Sequence, residues 1–229
     1  MKHLMPDIGV DEPRQFYAIR HGLLDGCEAY LSKRDRFPLR AGTYEREIRS
    51  RFAILAKDAG VFLDIGAAEG FFSVYMLRHT DARVYAFENE SVFGDVLVRN
   101  LERNTRNGHR VMVTDRPVGR QTYNGLAWTV DRIVGNQEGP VLLKIDAESA
   151  ETDVLQGAER ILEREDTRVM VKLHTKHAEA QCMWLLDEHG FNVEIIGQAW
   201  WRTLVKDRAS DEGARWLIAD KEPIDGLFS

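Results

Sequence analysis

The sequence predicts an α/β fold around a buried parallel sheet, and three observations carry that expectation. Two short apolar runs, Val61–Ile65 and Val141–Ile145, end at acids, Asp64 within the first and Asp146 just after the second. Valine-rich runs at 83–87, 110–113 and 168–173 alternate with stretches of helical spacing. A glycine turn that opens a helix follows the first run directly.

In chain order, residues 1–42 hold Pro6, Pro13, Pro38 and an apolar stretch at 16–24. They read as an appended segment with a short helix, serving as a lid or packing arm, ahead of one domain at 43–229. Ile48, Phe52, Leu55 and Ala59 then predict a helix with Thr43 as cap and Gly60 as stop. Beyond the first strand, Phe93, Leu97 and Leu101 form one apolar stripe, capped by Ser91. Val154, Ala158, Ile161 and Leu162 form another. A helix from near His177 ends at Gly190, and 191–196 with 215–219 predict a closing antiparallel pair joined through 198–213. Met183 and Trp184 read as helix packing, and Trp200, Trp201 and Trp216 as core or edge packing at the final pair.

Composition narrows the function. The 229 residues are 44% hydrophobic and 30% charged, as in a chain that buries a core and stays soluble. Thirty-one basic against 37 acidic side chains give a net charge of −6, so nucleic acid is a disfavoured partner. Two distant cysteines, Cys27 and Cys182, indicate neither a disulfide framework nor a zinc site, and nothing in the spacing requires a metal. No apolar run reaches membrane-spanning length and the first residues lack a signal-peptide pattern, so the expected address is the cytoplasm.

The stretch VFLDIGAAEGFFSVYML is the most informative. Gly66 permits a tight turn close to a ligand, and Gly70 lets the next helix start near the sheet. A phosphate-cradling P-loop needs a second glycine where Phe71 stands, and a dinucleotide fingerprint needs glycines where Ala68 and Phe71 stand. What remains is the loop of S-adenosyl-L-methionine enzymes. Asp64, Gly66, Ala67, Glu69 and Gly70 are its expected cofactor contacts. Glu88, ending the next strand beside Asn89, is placed to accept both hydrogen bonds of a ribose diol. Asp115 is a candidate for the adenine amino group, or a solvated turn residue.

At this point the residues resemble the FkbM family of class I methyltransferases over 61–196. The resemblance rests on DIGAAEGFFS, AFENE, the asparagines Asn104 and Asn107 of NTRN, TVDRIV, and above all LLKIDAESAETDVLQGAERIL. It implies a Rossmann-like, seven-stranded, mostly parallel sheet with helices on both faces, and transfer of a methyl group, usually to oxygen. The family usually shows asparagine at Ala68, proline at Asn89, glycine at Ser149 and often glutamate at Lys172.

An alcohol acceptor must lose a proton, which calls for a base near the cofactor. Lys144, Asp146 and Glu148 share one side by the period of two, for as far as the strand persists. Asp146 would also touch the cofactor, and His174, ending the next strand, is the other candidate base. The expected acceptor is a small molecule, sugar or glycan. Arg99, Arg103, Arg106, Arg110, Arg116 and Arg120, with Lys33, Arg34, Arg36 and Arg40, read as solvated faces. The alternative is an RNA- or protein-binding module that retains a cofactor pocket, with a nicotinamide oxidoreductase a weaker third reading. Oligomeric state stays open, a homodimer included.

Overall fold

A computed structural model describes residues 13–32, 36–105, 108–120, 128–198 and 213–222. The hairpin β1 (Gln15–Ala18) and β2 (Glu28–Leu31) comes first, then α1 (Arg36–Ala41) and α2 (Arg49–Ala56). The main body runs β3 (Val61–Ile65), α3 (Phe71–His79), β4 (Arg83–Phe87), α4 (Ser91–Asn104), β5 (Val111–Thr114), α5 (Val130–Val134) and β6 (Val141–Ile145). It continues α6 (Glu151–Gln156), α7 (Glu159–Leu162), β7 (Thr167–Leu173), α8 (Lys176–Glu188), β8 (Asn192–Ile196) and β9 (Arg215–Asp220).

The large sheet has seven strands in the order β5-β4-β3-β6-β7-β9-β8, parallel except for β9, which is antiparallel to both its neighbours. Strand alternation feeds two cores. Phe62, Leu142 and Met170 pack under α2, α3 and α4 on one face. Val61, Leu63, Ile65 and Leu143 pack under α5 to α8 on the other. The seven strands lie within one residue of their expected bounds, and the final antiparallel pair is present. The order reverses between β3 and β6, which leaves a crevice at their carboxyl ends.

Several local expectations are overturned. Residues 16–24 are not a helix: β1 and a turn occupy them, closed by Ile19 N–H to Cys27 O and Gly26 N–H to Ile19 O, with Gly22 and Gly26 at positive φ. The unpaired edge of β2 is satisfied by α4. Asn104 accepts from Glu28 N–H and donates to Glu28 O, while Asn100 accepts from Tyr30 N–H. Two amides one helical turn apart thus act as a strand edge.

Thr43 does not cap α2, because its hydroxyl donates to Pro38 O. That helix ends at Ala56, short of Gly60, where extended Lys57 and left-handed Asp58 turn the chain and Gly60 N–H donates to Pro140 O. Ser91 is the first helical residue and makes no cap bond. Gly190 does close α8, at φ 78°. On that helix Met183 and Trp184 are exposed, so they do not pack. Trp216 lies on interior strand β9, buried against Phe72. Trp200, Trp201, Arg106, Asn107, Lys33, Arg34 and the connection at 199–212 lie outside the described residues.

Candidate active site

The glycine loop between β3 and α3 satisfies its own backbone. Gly66 and Ala67 N–H both donate to Phe87 O at 2.9 Å, Gly70 N–H donates to Ala67 O, and Ala68 N–H donates to Glu88 Oε2 at 2.7 Å. Gly66 is at φ 73°, and a Cβ there would sit 1.9 Å from the carbonyl oxygen of Asp146, so the close approach of the chain just past the ends of the paired strands β3 and β6 admits no side chain. A Cβ on Gly70 would stand 2.7 Å from Leu97 Cδ1, where α3 and α4 meet.

Asp64 organises this loop from beneath. It is fully buried, accepts from Ser73 Oγ at 2.6 Å and pairs with Lys144 Nζ at 2.8 Å. The same ammonium donates to Gly66 O at 2.5 Å. Lys144 is 2% exposed and paired with Asp64, and it ties β6 to the glycine loop.

Above the loop opens a hollow of about 310 Å³. Of the candidate site residues, Gly66, Glu88, Asn89, Asp146 and Glu148 line it, and so does Ala68. Asp64, Ala67, Lys144, Asp115 and His174 do not, while Glu69 and Gly70 face a smaller cavity under the hairpin. Asp115 is exposed, and its successors Arg116, Pro117 and Val118 form that wall instead. Four carboxylates, Glu88, Glu90, Asp146 and Glu148, face one guanidinium, Arg116. The hollow is therefore an acidic one.

Glu88 is nearly buried and its two oxygens accept from Ala68 N–H and Glu90 N–H at 2.7 and 2.8 Å. Burial raises its pKa; the two backbone hydrogen bonds and the more distant Lys144 charge oppose that rise without cancelling it. Each oxygen keeps a second lone pair for a ligand hydroxyl.

Lys144 does not share a side with Asp146 and Glu148: it is buried, whereas those two follow the end of β6 at Ile145 and line the hollow from a turn in which Ser149 is left-handed at φ 69°. Glu148 is exposed on that turn. Asp146 instead meets Lys172 at 3.5 Å and His174 at 3.6 Å. His174 Nδ1 is 3.0 Å from Glu151 Oε1, and Lys172 Nζ is 3.0 Å from Glu45 Oε1. Burial works against the charged imidazole, but the Glu151 hydrogen bond and the Asp146 and Glu151 charges outweigh it and raise the pKa.

Sequence reasoning missed Phe93, Arg116 and Val118 on the wall, and the buried acids Glu45 and Glu151 behind it. Glu151 stands within the LLKIDAESAETD block, so the block pointed near it; Glu45 has no signal, being 127 residues from Lys172. Among the arginines expected on solvated faces, Arg99, Arg103, Arg116 and Arg120 are exposed, and Arg110 is half-buried. Arg110 donates to Leu77, Thr80 and Ala82 carbonyls at the end of α3, Arg103 pairs with Glu28 and Arg120 with Asp153.

No family model matches the sequence, and no curated protein matches it. Solved structures do. A structure of "Methyltransferase FkbM" from Methylobacillus flagellatus KT is 17% identical, with TM-score 0.57 over 82% of this chain and 55% of that one, so the chain spans about half its length. Magnesium protoporphyrin IX methyltransferase from Synechocystis PCC 6803, solved with bound SAM, is 15% identical, with TM-score 0.52 over 84% of this chain and 86% of that one. An rRNA methylase from Streptococcus thermophilus is 13% identical, with TM-score 0.53 over 77% and 96%. Together with the strand order and the reversed β9, these likenesses give the chain the Rossmann-like fold of class I methyltransferases.

Proposed function

We propose that the chain is an S-adenosyl-L-methionine-dependent methyltransferase that methylates a hydroxyl on a small molecule, sugar or glycan, of the FkbM type that its motifs resemble. The observation that carries this reading is an acidic hollow set over a glycine loop whose N–H groups at Gly66, Ala67, Ala68 and Gly70 are already used. A dinucleotide brings a pyrophosphate that needs free N–H donors and positive charge. A sulfonium nucleoside brings positive charge and a ribose diol, and four carboxylates with Glu88 at the end of β4 suit both. The net charge of −6 and the acidic lining of the hollow disfavour the RNA-binding alternative.

The cofactor supplies an activated methyl group. The chain holds the ribose through Glu88, excludes water with Phe87, Phe93, Pro117 and Val118, and presents Asp146 just past the ends of the paired strands β3 and β6. The segment before residue 43 is a packing arm: its hairpin is tied to α4 by Asn100 and Asn104. Two buried free thiols suit a cytoplasmic address.

Calorimetric titration with S-adenosylhomocysteine and with NAD tests the reading. Heat with the first alone supports it; heat with NAD alone overturns it.

A further inference from the structure

Asp146 is gripped from two sides. Its Oδ2 faces Lys172 Nζ at 3.5 Å and its Oδ1 faces His174 Nε2 at 3.6 Å. Behind each cation stands another carboxylate, Glu45 on Lys172 and Glu151 on His174, each at 3.0 Å. Trp216 Nε1 donates to the second oxygen of Glu45 at 2.8 Å. The side chains of the outer acids are 6% and 2% exposed, against 25% for Asp146. Read from Glu45 through Lys172, Asp146 and His174 to Glu151, the formal signs alternate along five groups.

A buried carboxylate is costly unless it is paired with a charge and hydrogen-bonded. Glu151 is such a group, and the imidazole at 3.0 Å answers it in its protonated form. The charged groups facing His174 are Glu151 from α6, Asp146 from the turn after β6 and Lys172 from its own strand. With Nδ1 on Glu151 and Nε2 toward Asp146, both ring nitrogens face carboxylates, an arrangement that favours the protonated ring. Asp146 is the member of the chain that reaches the hollow.

We propose that Asp146 is the negative centre that faces the transferring methyl group, and that Lys172, His174, Glu45 and Glu151 are positioning residues that set its orientation. This rests on the methyltransferase reading above. An acceptor hydroxyl can donate to the same carboxylate, which aligns its oxygen toward the methyl group; as the oxygen–methyl bond forms the methyl–sulfur bond breaks, S-adenosylhomocysteine leaves with the electron pair, and the hydroxyl proton passes to Asp146. Two cations clamp both oxygens of Asp146, and the outer acids keep the cations in place.

The test needs no acceptor. Sinefungin carries an ammonium where the sulfonium methyl would be, whereas S-adenosylhomocysteine is neutral there. Calorimetry should give the wild-type chain a preference for sinefungin. In Asp146→Asn that preference should fall about tenfold, with homocysteine-product affinity nearly unchanged. Glu45→Gln and Glu151→Gln should each lower it about threefold through a looser Asp146. Separately, the His174 ring signal followed by NMR should titrate at higher pH in the wild type than in Glu151→Gln. An unchanged sinefungin preference in Asp146→Asn overturns the proposal, as does the same His174 midpoint in both chains. Asp146→Asn, at a partly exposed site, keeps the question answerable if the buried variants do not fold. Binding of neither nucleoside overturns the cofactor reading and the role of Asp146 with it; binding of both without preference overturns the latter alone.

Discussion

The two sides of the crevice are built by different means. On the β3–β4 side, backbone groups of one loop bond to Phe87 and Glu88, and Asp64 and Lys144 close it from below. On the β6–β7 side, side chains from separated segments meet in a line of alternating charge. The first side is a rigid floor, since the N–H groups of Gly66, Ala67, Ala68 and Gly70 are already held. The second is a set of charged groups whose arrangement depends on every member being present. A variant on the floor should therefore act on folding, and one in the charge line on chemistry.

The sharpest break between the sides comes from Lys144. Lys144→Ala leaves Asp64 buried and unpaired, and should cost about 3–5 kcal/mol in urea denaturation. The double variant Asp64→Leu with Lys144→Met removes the charge altogether and should recover most of that loss. If Lys144 were a base and not a strut, the single variant would leave the denaturation midpoint in place.

Glu88 belongs to both worlds, because it holds two loop N–H groups and faces the hollow. Glu88→Ala should weaken S-adenosylhomocysteine binding at least about tenfold by calorimetry. It should also cost about 1–2 kcal/mol of stability, since Ala68 and Glu90 N–H lose their acceptor. Because burial raises the Glu88 pKa, affinity should begin to fall at a higher pH than for an ordinary carboxylate as the solution is acidified.

These differences explain what was legible. The sheet could be read because β3, β4 and β6 are short apolar runs of local pattern, and their bounds agree with the structure. The floor could be read because Gly66, Gly70 and Glu88 lie within one strand-turn-helix-strand unit. The hairpin could not, since its turns at Gly22 and Gly26 interrupt an apolar stretch that looks helical. The charge line could not either: the residue pairs Glu45 with Lys172 and Glu151 with His174 are joined only by tertiary structure. The shared side expected for Lys144 with Asp146 and Glu148 failed for a local reason: β6 ends at Ile145, so the two acids leave from a turn while Lys144 stays buried beside Asp64.

His174 provides a pH test of the charge line. Its folded pKa lies above the ordinary 6.5, so its pairing contributes stability that is fully present below that value and lost as pH rises through the folded one. Denaturation midpoints of the wild type should therefore decline over that window, and His174→Gln should flatten the decline. A wild-type curve that instead rises there would mean that the ring is neutral when folded.

The smallest effect lies at the joints between the two sides. Ala68 on the floor and Ser149 after β6 both sit at positive φ, 48° and 69°, where a Cβ is strained. These are two of the positions at which the chain departs from the FkbM pattern, which carries asparagine and glycine there, residues that tolerate this conformation. Ser149→Gly relieves the strain but gives the unfolded chain more freedom, so the net gain should be a few tenths of a kcal/mol and at most about 1 kcal/mol. Ala68→Asn relieves strain without that entropic loss and should gain a comparable amount. Thermal denaturation resolves both, and a fall in stability for either would mean that the methyl or hydroxyl group makes a contact worth more than the strain it causes.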